Sequence, residues 1–459
     1  MDLLNDPVPL LIRRLAIPAS VGFFFNTMFN VVDTFFAGQI STHALAALSL
    51  SFPIFFIILA LGAGVSQGST ALISNALGAK DEPLARHYSA QALSFGGLFS
   101  VFLTMLGWAA APTLFQLLGA TDDYLVTSLA YMNTIIAGTV FFLGQSISNA
   151  SLNAQGDTRS FRNVLIGGFI LNLVLDPWFL FGGLGLPALG IRGIALATVV
   201  AQCLGCAFLL YRLSKTPLWS NIHWNEFTPD PTAFRAILKQ GVPASLNMVS
   251  VAAGIFVITW FVSRFSEKGV AAYGIATRVE QIFLLPTIGL NIAVLTLTGQ
   301  NNGARQFSRI VEIWRTALKY GVGMMLLGGL IVLGLARPLM ALFTEDSIVV
   351  EIGSDYLRIA SLTLCAYVIL YQTVYMLQGL KRPMYAIWIG LYRQIIAPGL
   401  AFYLLAYALD WKLKGIWWGV FLVTWSASGV TYFYGRHVLS RVSGDPDLRS
   451  IARSTRRRS

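Results

Sequence analysis

Charge is what this sequence lacks most. Only 12% of the 459 residues are Asp, Glu, Lys or Arg, against 56% apolar, which leaves too little polar material to coat a soluble domain. Histidine and cysteine are scarcer still, at four and three residues. His43, His87, His223 and His437 fall in loops or at helix ends, so the pattern offers no metal cluster and no histidine-based catalytic constellation. Cys203, Cys206 and Cys365 lie within apolar runs, and a Cys-x-x-Cys there, without a nearby His or third Cys, reads as packing. A long polar stretch is also missing. The largest break in the apolar pattern, residues 212–240, is short and carries Pro217, Pro229 and Pro231, as a linker between halves does. These absences disfavour a membrane-embedded enzyme and a receptor with a sizeable extramembrane domain, and imply no resident cofactor.

What fills the chain is apolar runs of membrane-spanning length. We expect an all-α integral membrane protein of twelve transmembrane helices, beginning near residues 13, 45, 88, 123, 161, 190, 234, 267, 316, 351, 384 and 414. The first 20 residues place acids ahead of Arg13 and Arg14 and run directly into a full-length apolar helix, so they read as a first span and not as a cleaved signal peptide. The formal charge of +11 follows the positive-inside rule and needs no nucleic acid. With spans alternating, 23 of the 32 Lys and Arg fall on the side of the N-terminus, seven on the other, and Arg278 and Arg393 inside helices. Both termini are therefore expected to be cytoplasmic. The Arg-rich end, ARSTRRRS, suits anionic lipid head groups or a plain positive-inside tail.

The sequence repeats itself. Pro18-Ala19-Ser20 recurs as Pro243-Ala244-Ser245, 225 positions on, and the same offset relates Ala46-Ala47 to Ala271-Ala272, Gly64 to Gly289, Gly78-Ala79 to Gly303-Ala304 and Tyr131 to Tyr356. Loop changes then shift the frame. Gln155-Gly156 answers Gln378-Gly379 at 223, and Gly193-Ile194 answers Gly415-Ile416 at 222. Six spans per half give two pseudo-symmetric six-helix lobes in parallel orientation, with an expected cavity between them and alternating access by rocking. The expected division is 1–215 for the N-terminal lobe, 216–240 for a cytoplasmic linker, 241–440 for the C-terminal lobe and 441–459 for a basic tail.

Function should sit where the halves differ. Residues 23–38, FFFNTMFNVVDTFFAG, carry one carboxylate, Asp33, among side chains suited to lipid, and such an acid costs about 2.5–3.5 kcal/mol on insertion scales. Asn30 and Asn26, at i−3 and i−7, share its helical face. Its counterpart at the offset of 225 is Ile258. In the fifth span Asn172 and Asp176 are i and i+4 on one face, and at 222 they map onto Gln394 and Pro398. In the sixth, Thr198 and Gln202 form another such pair, and Thr198 maps onto Val420. Asp176 precedes Pro177, which frees a backbone carbonyl inside the helix, so a carboxylate, an amide and a carbonyl stand as hard oxygen ligands for a cation or a proton with water. Asp33 could instead be a buried acid holding helices together, and Asp176 an N-cap or loop acid.

The second half has its own embedded charges, Arg278 and Glu280 in the eighth span and Arg393 in the eleventh. Residues two apart face different ways, so Glu280 is expected to pair with Arg393 or a polar group across the interface as a structural ion pair. Pro18 is either a helix-opening residue or, if the span starts near Pro9, an internal kink.

These residues resemble the multidrug and toxic compound extrusion (MATE) transporters, in particular their DinF-like prokaryotic branch. The resemblance covers nearly the whole chain: the twelve spans, VDTFFAG in the first, the Pro18 to Asp33 interval, and the fifth-span Asn-x-x-x-Asp followed by proline. It implies that Asp33, Asn172, Asp176 and Thr198 form the cation-coupling site and that Pro18 accompanies bending of the first helix. The NorM-like branch carries an acid in the seventh span, and residues 241–265 contain none. The DinF-like pattern has a Tyr one turn before the first acid, where this chain has Phe29; losing that hydroxyl favours a proton over sodium.

The expectation is a secondary antiporter of a prokaryotic cytoplasmic (inner) membrane, working as a monomer among membrane lipids. It would export organic, apolar, often cationic compounds in exchange for protons, through Asp33, Asn172, Asp176 and Thr198. The alternative coupling ion is sodium, held at Asn172, Asp176 and Thr198. Candidates for the substrate cavity are Asn26, Asn30, Gln202, Arg278, Glu280 and Arg393. A flippase for lipids or lipid-linked oligosaccharides is the rival from another class, disfavoured because it would present several basic residues to phosphates.

Overall fold

The computed structural model describes residues 1–183, 185–220 and 222–443, without the side chains of residues 42–45; most of the expected basic tail lies outside the described residues. All of its regular elements are helical. Among the described residues, nine helices are long and apolar enough to cross a membrane: Val8–Ile40, Ala46–Gly78, Glu82–Leu117, Arg159–Phe181, Ile191–Ser214, Pro231–Ser263, Glu267–Gly303, Phe307–Ala341 and Met384–Ala408. Two more spans are broken. Asp122–Ala137 meets Thr139–Ala154 at 43°, and Ser347–Ser361 meets Leu364–Gly379 at 50°. The twelfth long helix is Lys412–Ser443, whose uncharged stretch from Gly415 to Gly435 is diluted by Trp, Gly, Ser, Thr and Tyr. The breaks at Gly138 and Leu362–Thr363 fall at matching points of the repeat, since 138 and 363 lie 225 apart.

Two compact units emerge, and they do not divide at the expected linker. One is Pro18–Ser245; the other combines Met1–Ile17 with Leu246–Ser459. The first and seventh helices are each shared between units, and the dividing points are the Pro-Ala-Ser repeats. Packing explains the exchange. Leu3, Val8, Leu11, Ile12 and Leu15 are buried with Leu290, Ala293, Val294 and Trp314 of the second unit, while Ile237 belongs to the core of the first. There Gly64 and Gly68, a small-xxx-small pair, let the second span approach Gly241: a Cβ at Gly64 would lie 2.7 Å from the Gly241 carbonyl oxygen, and one at Gly68 2.7 Å from its nitrogen.

The linker is more structured than its prolines suggested. Helical turns at Pro217–Trp219 and Trp224–Phe227 are clasped to the third span. Gln91 donates to the carbonyls of Glu226 (2.6 Å) and Thr228 (2.7 Å) and accepts from the Asp230 amide (2.9 Å), and Arg86 pairs with Glu226 at 2.8 Å. The seventh helix then starts at Pro231, where a proline suits the first turn.

The halves differ most between the fifth and eleventh spans. The fifth is α-helical throughout. The eleventh contains two π-helical stretches, Tyr392–Ile396 and Tyr403–Ala408, each of which widens the turn and re-aims the side chains around it.

Candidate functional site

Within the unit Pro18–Ser245, the first, fifth and sixth spans bring four expected residues together. Asp33, Asn172, Asp176 and Thr198 are all buried, with relative exposures of 6%, 0%, 0% and 4%. The Asn172 amide nitrogen bridges the two acids, donating to Asp33 Oδ1 (2.8 Å) and Asp176 Oδ1 (2.9 Å). Its position one turn before Asp176 on the same helix makes the second bond geometrically natural. The Thr198 hydroxyl stands 3.3 Å from Asp33 Oδ2 and 3.1 Å from the Ile194 carbonyl. Asp33 and Asp176 also interact directly with each other. Two acceptor oxygens, Asn172 Oδ1 and Asp176 Oδ2, are buried without a donor. An unmatched buried acceptor costs about 1–3 kcal/mol.

Asp176 is an interior helical residue ahead of Pro177, not an N-cap or a loop acid. Pro18 is likewise internal, ten residues into a helix that continues through it. Tyr131 was not anticipated as part of the site. Buried at 6% exposure, it feels both acids electrostatically, and its match to Tyr356 in the repeat was the signal that could have found it. Asn30 and Asn26 stay apart from the cluster: Asn30 is exposed and its amide turns back to the Asn26 carbonyl at 2.8 Å. Gln202 is half-buried, with an unmatched Oε1.

The other unit holds a second site at the corresponding place. A cavity of about 180 Å³ is lined by Ile258, Tyr356, Gln394, Pro398 and Val420. Ile258, Tyr356 and Val420 are the repeat counterparts of Asp33, Tyr131 and Thr198. The eleventh span starts 225 positions after the fifth, Met384 against Arg159, so the expected matches of Asn172 and Asp176 to Gln394 and Pro398 are corrected to Ala397 and Ala401, and the offset of 222 sets in only after that span. The tyrosine remains, while both acids and the threonine are replaced by apolar residues. New polar groups enter from elsewhere: Glu280, Arg393, Tyr273, Tyr367 and Tyr371 also line the cavity. The Tyr356 hydroxyl donates to Glu280 Oε2 at 3.0 Å, with Tyr367 within reach of the same carboxylate.

Of the partners expected for Glu280 the structure supplies the polar group, Tyr356, and not the ion pair. Arg278 is exposed, because its place beside Glu280 on a helix turns it away from the cavity. Glu280 and Arg393 share the cavity but form no ion pair within 4.0 Å; tyrosines stand at both. The π turn at Tyr392–Ile396 carries Arg393 and Gln394 inward, both buried.

Among the described residues, no group of three or more His, Cys, Asp or Glu could hold a metal ion. The oxygens of Asp33, Asn172, Asp176 and Thr198 form the donor set available to a transported cation, and the two unmatched acceptors fit such a cargo or a proton.

The chain is 29% identical to an FAD transporter of Shewanella oneidensis, across 86% of this chain and 87% of the relative. It is 28% identical to a probable multidrug resistance protein, YoeA, of Bacillus subtilis, across 72% and 71%. Among solved structures it resembles an outward-facing multidrug resistance MATE transporter, with a TM-score of 0.90 and 25% identity over 96% of this chain and 98% of that one. A MOP-superfamily transporter of Pyrococcus furiosus, described as having a binding pocket of reversed polarity, matches with the same TM-score, identity and coverage. The MatE family profile matches residues 18–178 and 243–403, one copy in each half, and the chain belongs to the MatE family of membrane transporters.

Proposed function

We propose that this protein is a secondary antiporter of the DinF-like kind, exporting organic, apolar, often cationic compounds in exchange for protons. The observation that carries the reading is the pair of buried acids bridged by Asn172, with two acceptor oxygens left unmatched beside them. One proton shared in the pair supplies a missing donor, and a cationic substrate approaching the same lobe favours its departure. Proton and substrate thereby compete, and exchange follows without a covalent step.

Sodium is the alternative cargo. The orientation of Asn172 favours the proton: its N–H₂, not its carbonyl, sits at both acids, so the amide must turn for the oxygens to close around a cation. The names of relatives supply the substrate class, through multidrug resistance proteins. The distribution of Lys and Arg supports cytoplasmic termini in a prokaryotic inner membrane, and we take the working unit as a monomer in contact with lipid.

The test is efflux of a fluorescent organic cation from proteoliposomes under an imposed proton or sodium gradient, comparing wild type with Asp33→Asn. Proton-driven efflux that Asp33→Asn abolishes supports the reading. Sodium-driven efflux keeps the antiporter and changes its ion. Absence of any gradient-driven movement brings the flippase forward.

A further inference from the structure

We propose that the cavity around Arg393 is a second ligand site, for planar aromatic molecules carrying an anionic carboxylate or phosphate group, separate from the acid cluster of the other unit. Arg393 is 92% buried by its 8% relative exposure, and among the described residues no carboxylate lies within 4.0 Å of it. Its one hydrogen bond goes to the neutral Tyr371 hydroxyl at 3.3 Å. The guanidinium sits 5.1 Å from the Tyr367 ring centre and 5.7 Å from that of Tyr371. Two rings stabilise a cation in part, yet a guanidinium has five donors, and a buried charge is ordinarily paired. Arg393 is one of the residues that line the cavity.

Glu280 does not complete the pair. Its carboxylate is engaged by the Tyr356 hydroxyl, with Tyr367 beside it, and it acts on the guanidinium electrostatically without a contact within 4.0 Å. Tyr273, Tyr356, Tyr367 and Tyr371 supply the aromatic surface on which a flat ligand stacks. Gln394, also buried and lining the cavity, offers an amide for orientation.

The repeat shows that this polarity is a specific departure from a shared scaffold. At the offset of 225, Glu280 and Tyr367 correspond to Phe55 and Phe142, which pack edge to face with ring centres 5.2 Å apart. At the same offset Arg393 corresponds to Gly168. One lobe thus buries two acids where its sister has Ile258 and Ala401, and the sister buries a cation where the first has glycine. The second cavity holds one acid, engaged by tyrosine, and one guanidinium with no carboxylate in contact, so it has a donor set for an anion that the first lobe lacks.

The test is equilibrium binding of 2-naphthoate to the full-length protein in lipid nanodiscs, read by quenching of intrinsic fluorescence and by calorimetry. Wild type is expected to bind 2-naphthoate at least about tenfold more tightly than its neutral analogue 2-naphthylmethanol. Arg393→Gln should lose about tenfold or more in affinity for the acid and little for the alcohol, while Arg393→Lys, which keeps the charge but not the planar fork, should lose less than Arg393→Gln. Asp33→Asn should bind 2-naphthoate as wild type does, which separates this site from the coupling cluster. Equal affinity of wild type for acid and alcohol overturns the proposal without any variant, so a misfolded Arg393→Gln cannot shelter it. Unchanged naphthoate affinity in folded Arg393→Gln, or loss of it in Asp33→Asn, overturns it as well. A phosphate-bearing probe, 1-naphthyl phosphate, distinguishes the two anionic groups.

Discussion

The two lobes descend from one pattern and have been given opposite interiors. Both keep a buried tyrosine at the same place, Tyr131 in one and Tyr356 in the other, and both break their fourth span of six at the same point of the repeat. In the first lobe that tyrosine stands by two acids tied together by an amide. In the second it donates to a single acid from a different helix, with an arginine lining the same cavity. The shared positions maintain the packing, and the substituted ones assign the chemistry. A repeat therefore acts as an internal control: where two copies agree, the residue answers to the fold, and where they part, a separate cause is needed.

The largest effect that could break this comparison concerns the acids. Asp176→Asn should abolish gradient-driven efflux as completely as Asp33→Asn, because each acid is half of one bridged pair. Moving the acid to the sister lobe should not repair the loss: Ile258→Asp in the Asp33→Asn background is expected to remain uncoupled, since the counterparts there are Ala401 and Val420 in place of Asp176 and Thr198. Proteoliposome efflux under a proton gradient measures both. Restored coupling in the double variant would mean that the lobes are interchangeable and that the acid alone carries the function.

A smaller effect would sharpen the agreement between lobes. Gly193 and Gly415 open the sixth and twelfth spans, and a Cβ at either would press on backbone: 2.5 Å from the Phe179 carbonyl oxygen in the first, 2.7 Å from the Ala406 nitrogen in the second. Neither contact is with a side chain that could swing aside. Gly193→Ala and Gly415→Ala should therefore each cost about 1–3 kcal/mol, seen as similar drops in melting temperature in detergent. A large effect in one with none in the other would show that only one lobe limits stability.

Much of this was legible in the sequence, for a definable reason. Spacing along one helix places residues on a face, so Asn172 and Asp176 could be paired before any fold was known, and an acid in an apolar run marks itself. Spacing is silent about which helix stands beside which. The bridge from Asn172 to Asp33 spans 139 positions, and the joining of Tyr131 to the cluster depends on a fourth span whose break no residue pattern announced. The same limit applies to both arginines. Regular helical periodicity gave no warning of the π turn that carries Arg393 inward, and spacing did not say which side of the helix faces the cavity, where Glu280 stands and Arg278 does not. The division at Pro18 is a third case: hydropathy sees one continuous span, whereas Leu11, Ile12 and Leu15 find their neighbours in the other half of the chain.

The smallest expected effect lies outside the membrane, at one surface acid in each unit. A hydrogen bond from His87, 3.0 Å away, holds the Asp230 carboxyl below the usual carboxylate range, and a bond from Lys268 at 2.7 Å does the same for Asp346. A lowered folded-state value means that each acid stabilises the fold above its unfolded value of about 3.9 and loses that contribution as the pH falls through the folded value. Asp230→Asn and Asp346→Asn should then lower the melting temperature slightly at neutral pH. The difference from wild type should shrink below pH ~4, where the wild-type carboxyl becomes protonated and resembles the amide. The two shifts should be similar, because each carboxylate pairs with one basic side chain and caps the start of one helix, Asp230 at the Thr232 amide and Asp346 at those of Ile348 and Val349, while the bond to Gln91 comes from the Asp230 backbone amide and survives the substitution. A markedly larger shift in one of the two would show that the units differ at their surfaces as they do in their interiors.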